Sequence, residues 1–117
     1  MLTLAPRMRI YMHVPPTDMR KSFDGLCALV RSVFKADPLD GSLFLFVNRR
    51  RDRIKALWWD RDGLVISYKR LESGSIEMVK PVAGEPTVEI DATQLTMLLA
   101  GVTLSSAKRR KRYAVVG

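Results

Sequence analysis

The sequence predicts a small α+β domain: an antiparallel sheet of four to five strands, two helices and a flexible basic C-terminal tail. Three observations carry that expectation. Residues 7–14 alternate apolar and polar at the two-residue period of a half-buried strand, whereas residues 19–34 keep apolar side chains three and four apart, as a core-facing helix does. Residues 43–71 hold three apolar runs separated by two short polar turns, the pattern of a meander. At 117 residues the chain has the length of one domain, able to bury roughly two-thirds of its unfolded surface without disulfides or metal.

In the first strand Met8, Ile10, Met12 and Val14 share one side, and the alternation assigns Arg7, Arg9, Tyr11 and His13 to the solvent side. Pro15-Pro16 ends the strand. Thr17 or Asp18 is then placed to cap a helix whose stripe is Met19, Phe23, Leu26, Cys27, Val30, Val33 and Phe34. Asp37-Pro38 and Asp40-Gly41 close that segment in turns. Leu43-Phe44-Leu45-Phe46-Val47 is apolar throughout and too short for a helix, so it reads as a central strand covered on both faces. Strands over residues 53–60 and 64–71 follow, through a loop at 48–52 and a turn at 60–63 where Asp62-Gly63 is suited to positive φ.

Residues 72–86 contain Gly74, Pro81, Gly84 and Pro86 without a sustained period, and read as loop with at most a short strand near residues 76–79. Thr87-Val88-Glu89-Ile90 adds a strand. Asp91 with Gln94 three residues on forms a capping box, and Ile90 with Leu95 the accompanying hydrophobic staple. The second helix carries Leu95, Leu98, Leu99 and Val102, with Gly101 where a left-handed residue ends it. The single domain is expected over residues 1–104. Residues 105–117 lack a core-facing pattern and are expected to be disordered.

Twenty Lys and Arg against 12 Asp and Glu give a net charge of +8, which favours a polyanionic partner. The lone Cys27 lies in an apolar stripe, reads as a buried thiol, and suits a reducing bacterial cytoplasm. No run approaches the ~20 apolar residues of a membrane span, and residues 1–6 lack a basic secretory leader, so a soluble, nucleoid-accessible location is expected. His13 is the only histidine and has no metal-ligand spacing or nucleophile partner, and no cofactor is implied. Asp60 and Asp62 are better explained as turn formers than as a two-metal catalytic pair, and the chain is read as a non-enzyme.

Two basic foci carry the charge. The hairpin focus comprises Arg49, Arg50, Arg51, Arg53 and Lys55, with Lys69 and Arg70 on the next strand; the tail focus is Lys108, Arg109, Arg110, Lys111 and Arg112. Guanidiniums grip phosphate oxygens two at a time, so nucleic acid is the leading partner. The alternative is a solvated loop whose like charges protect a sheet edge. Trp58 and Trp59 are adjacent on a strand and face opposite ways, one toward the core and the other, like Tyr68, open to stacking on a base or joining an interface. Arg20 and Lys21 fall in the first expected helical turn, where cations oppose the macrodipole. There they would make a phosphate pocket, or Arg20 would pair with Asp18 or Asp24.

Thr17-Asp18-Met19-Arg20-Lys21-Ser22-Phe23-Asp24-Gly25-Leu26, Leu43-Phe44-Leu45-Phe46, Asp52-Arg53-Ile54-Lys55-Ala56-Leu57-Trp58-Trp59-Asp60, Asp62-Gly63 and Tyr68-Lys69-Arg70-Leu71-Glu72 occur in that order. Over about residues 7–104 the chain resembles the TnpB (Orf2-like) accessory proteins of insertion-sequence-sixty-six transposable elements. These are distinct from the RNA-guided nucleases that share the TnpB label. The resemblance implies a protein encoded beside a separate, larger transposase and needed for efficient movement of the element. Its expected partners are DNA at the element ends and the transposase. The alternative is a protein-interaction adaptor for the transposase with little DNA binding of its own.

Overall fold

The computed structural model describes residues 8–100. In chain order these form β1 (Ile10–His13), α1 (Phe23–Leu29), a π-helical turn (Val30–Phe34), β2 (Leu43–Val47), β3 (Arg53–Asp60), β4 (Gly63–Arg70), β5 (Thr87–Ile90) and α2 (Ala92–Ala100). The strands make one sheet in the order β4-β3-β2-β1-β5. The α+β class, the two helices and the five strands agree with the sequence reading, but the sheet is mixed where a wholly antiparallel one was expected. β1 pairs with β2 in parallel, Ile10 opposite Leu43, because the chain between them passes through α1 and returns to the end it left. The other pairings are antiparallel, as short hairpins dictate for β2-β3-β4.

Both faces of the sheet are covered. On one, Ile10, Met12, Leu43, Leu45, Ile54 and Ala56 pack with Leu95 and Leu98 of α2 and with Ile76; on the other, Phe44, Phe46 and Leu57 pack with Leu26, Cys27 and Val30. β2 is buried along its whole length, as its unbroken apolar run requires. Two-sided burial also corrects the assignment of His13 to the surface. The alternation places it on the opposite side from Met12, yet that side is the inner wall of the α1 layer. His13 is 6% exposed, its Nδ1 lies 3.1 Å from the Thr17 hydroxyl, and its ring sits 6.0 and 6.1 Å from those of Phe34 and Phe46. Burial pushes its pKa below the usual imidazole value.

The first helix starts later than expected. Its N-cap is Ser22 in an extended conformation, and Asp18 instead closes a local turn, accepting the Arg20 N–H at 2.9 Å while its own carbonyl accepts the Lys21 N–H at 3.1 Å. Arg20 and Lys21 thus precede the helix, and the expected conflict with its dipole does not arise. The helix ends in a left-handed Lys35.

The two hairpin connections occur at 48–52 and 60–63. In the first, Asn48 Oδ1 accepts the Asp52 and Arg53 N–H groups, both at 3.0 Å, and Arg51 takes a φ of 58°. In the second, the positive φ belongs to Arg61; Gly63, expected to supply that conformation, opens β4 opposite Asp60. Residues 76–79 form no strand. The Ile76 N–H donates to the Arg51 carbonyl at 2.6 Å and the Leu71 N–H to that of Asp52 at 2.7 Å, so this segment braces the arginine loop while Ile76 enters the core. The capping box of α2 is complete: Asp91 accepts the Gln94 N–H at 2.7 Å and Gln94 accepts that of Asp91 at 2.9 Å. Ile90 and Leu95 join the same core. Gly101, Val102, the expected domain end and the basic tail lie outside the described residues.

Candidate nucleic-acid interface

Folding assembles one basic groove from three separate parts of the chain. The turn at 18–21 brings Arg20, the 48–52 loop brings Arg49 and Arg50, and the start of β3 brings Arg53, with Tyr68 of β4 as a wall. The groove encloses about 520 Å³, and Asp18 and Asp52 also line it, so four arginines and two aspartates leave it net positive by two charges. Arg49 and Arg50 are exposed and make no ion pair among the described residues. The Asn48 amide donates to Asp52 at 2.6 Å, which fixes the carboxylate and the loop together.

Arg20 is preorganised by its neighbour. Its Nε donates to Oδ1 and Oδ2 of Asp18 at 3.1 and 3.0 Å and its Nη2 to Oδ2 at 2.7 Å, and these bonds, together with the Arg20 backbone N–H, hold the Asp18 pKa down at about 2. The pairing anticipated between these two residues is the one present. Nη1 has no partner among the described residues and remains available to an anion.

Beneath the groove lies Lys55, which the sequence reading offered to a phosphate. It is only 8% exposed, and its ammonium donates to the carbonyls of Met19 and Lys21, each at 2.7 Å, with the Tyr68 ring centroid 4.8 Å away. In phase with Leu57, Lys55 points into the α1 layer and ties the 18–21 turn to the sheet. Tyr68 itself is 49% exposed, and its hydroxyl accepts from Arg53 Nη1 at 3.2 Å.

The remaining candidates disperse. Arg70 faces Arg53 across the strand pair and shares with it and Tyr68 a second cleft of about 210 Å³, but it is also paired with Glu72 at 2.7 Å. Lys69 points to the opposite face, where its ammonium donates to the Leu99 carbonyl at 3.0 Å and caps α2. Lys21 and Arg51 are exposed beside the groove without lining it. Trp58 and Trp59 are both half-buried at the far end of β3, Trp58 against the α2-side core. Six residues of strand put Trp59 roughly 20 Å from Arg53, too far to act with the arginines on one nucleotide. Lys108, Arg109, Arg110, Lys111 and Arg112 lie outside the described residues.

Among the described residues no three acidic, histidine or cysteine side chains converge to hold a metal ion. Asp60 sits in its turn, 3.9 Å from the Arg61 guanidinium. Sequence reasoning offered Asp18 as a partner of Arg20 and Tyr68 as an aromatic free to stack or join an interface, but missed that the two line one groove. The Asp-x-Arg spacing was the visible signal for the clamp, whereas nothing local places Tyr68 across from the 18–21 turn.

The family model described as IS66 Orf2 like protein matches residues 8–109, a span that includes every element of the groove. The chain belongs to this family. Its members are accessory proteins associated with transposition, and the groove is a feature of one such protein. Two uncharacterised proteins of Sinorhizobium fredii are similar: y4jC, 34% identical over 103 residues, covering 88% of this chain and 86% of the relative, and y4hO, 34% identical over the full length of both. No solved structure matches the chain. No helix among the described residues is long and apolar enough to cross a membrane.

Proposed function

We propose that this IS66 Orf2-like protein is a non-catalytic factor that binds nucleic acid at or near the element ends, with the arginine groove as its phosphate-contacting surface. One observation carries the reading: Arg20, Arg49, Arg50 and Arg53, drawn from separate segments, converge on a single open groove. Convergence of guanidiniums is costly in self-repulsion and is offset when a polyanion enters. The bracing of the 48–52 loop by Leu71 and Ile76 supports the same reading, because a preorganised cradle loses little entropy on binding. The transposase is the second partner in this reading, contacted through other surfaces.

The test is fluorescence anisotropy of a labelled element-end duplex against a scrambled duplex, with salt raised to about 0.15 M. Arg49→Ala with Arg50→Ala is expected to weaken binding to both sequences and to reduce the log-log salt slope by about 1.8, the contribution of two phosphates. Unchanged affinity and slope in that variant would overturn the role of the groove. Copurification of the transposase in high salt tests the second partner.

A further inference from the structure

The geometry points to single-stranded nucleic acid as the ligand of this groove, with an unpaired base stacked on Tyr68 while the strand's phosphates lie against the arginines. This deepens the proposed function and rests on it.

Tyr68 is built as a stacking platform. Lys55 Nζ stands 4.8 Å from the centroid and occupies one face of the ring, while the Arg53–hydroxyl bond at 3.2 Å fixes its tilt. With one face covered and the hydroxyl tied, the half-exposed ring has one face to offer and little rotamer freedom to lose. Tyr68 and Arg53 also form the partition between the large groove and the smaller cleft that holds Arg70. A base on Tyr68 therefore has guanidiniums on either side of it, spaced along the path a backbone would follow.

The surroundings disfavour a duplex reading of the same arginines. A β-ribbon that enters a major groove must protrude from the protein, but here the 48–52 loop is held against the 71–76 segment by two backbone hydrogen bonds. The arginines consequently line a concavity. A duplex could bring only its backbone ridge to that concavity, and its paired bases would remain stacked beyond the reach of Tyr68. A strand with free bases satisfies both the cations and the ring.

The experiment compares a short oligothymidylate, the same strand with abasic positions, and a duplex of equal length, by anisotropy at one salt concentration. Wild-type protein is expected to bind the oligothymidylate more tightly than the duplex. Tyr68→Ala is expected to lose roughly 5- to 150-fold on the single strand and less than about twofold on the duplex, with Tyr68→Phe losing a smaller factor than Tyr68→Ala because it keeps the stacking ring and gives up only the tie to Arg53. The abasic strand should lose a similar factor with unaltered protein, a comparison that does not depend on how the Tyr68→Ala variant folds. Equal affinity for thymidylate and abasic strands would overturn the stacking inference, and the groove reading would still stand if Arg49→Ala with Arg50→Ala weakened binding to both. No binding to any of the three ligands would overturn both readings.

Discussion

Lys55→Met removes a buried ammonium from beneath the candidate groove and keeps most of the volume of its stem. In the folded protein that ammonium makes two 2.7 Å bonds to backbone carbonyls of residues 19 and 21 and a contact with Tyr68. Hydrogen bonds to charged groups are each worth about 1.5–3 kcal/mol, and a cation–π contact adds about 0.5–2. Against that gross loss stand relief of the lysine's desolvation and the return of water to the two carbonyls, which belong to a surface turn. A net destabilisation of about 2–4 kcal/mol is expected, or a fall in Tm of order 10–20 °C for a domain of this size. Urea denaturation followed by Trp fluorescence measures it. The functional consequence is specific: the 18–21 turn loses its tie to the sheet, so Arg20 no longer holds its place beside Arg49 and Arg50. Nucleic-acid affinity should fall under conditions where the variant is still folded, although no cation that lines the groove has been changed. Stability within about 0.5 kcal/mol of wild type would refute the reasoning, since it would mean that the ammonium is solvated in both states.

Other outcomes follow from the same geometry. Asp18→Asn keeps an acceptor for the Arg20 N–H but releases the guanidinium and raises the groove's net charge from two to three, so binding to a polyanion should tighten at low salt; weaker binding would show that the clamp positions Arg20 for its ligand. His13 has a folded pKa below the ordinary 6.5, so below about that pH the unfolded chain takes up the proton first, and stability that is complete above 6.5 is lost as pH falls through the folded value. Urea midpoints should drop as pH falls below the ordinary 6.5, and His13→Gln should flatten that dependence; an unaltered slope would place the titration elsewhere. The Asp18 contribution, by contrast, is present above 3.8 and disappears only toward about 2, so the Arg20 clamp should be insensitive to pH across the same window. Deleting residues 108–117 removes five consecutive cations and should lower the magnitude of the salt slope on duplex DNA by up to about 4.5 while leaving the Tm unchanged.

Much of the architecture was legible because it rests on short-range physics. The unbroken apolar run at 43–47 could only be a strand buried on both faces, the Asp91/Gln94 box began a helix where it was read to begin, and the two polar turns set the β2-β3-β4 meander. Where local logic erred, a local competitor won. Thr17 or Asp18 was expected to cap the helix, but Ser22 takes that place, and of the two roles open to Asp18 its carboxylate fills the other, closing its own turn and gripping Arg20 two residues on. Gly63 was expected to carry the positive φ that Arg61 adopts. His13 and Lys55 show a different failure. Alternation correctly predicts which residues share a face of a strand, yet says nothing about what covers that face.

The sequence by itself determined the family, the class of fold, the excess of positive charge and the positions of the two hairpin turns, because all of these follow from the order of neighbours along the chain. Tertiary structure alone decided which cations act together. Arg20 and Arg53 are far apart in sequence and meet only because α1 carries the chain back to pair β2 beside β1 in parallel, which lays the 18–21 turn next to the hairpin loop. Lys55 and Lys69, alike in one dimension, were diverted to carbonyls on opposite faces of the sheet. Charge is a property of composition, but a binding site is a property of distance, and distance between remote residues is set by packing.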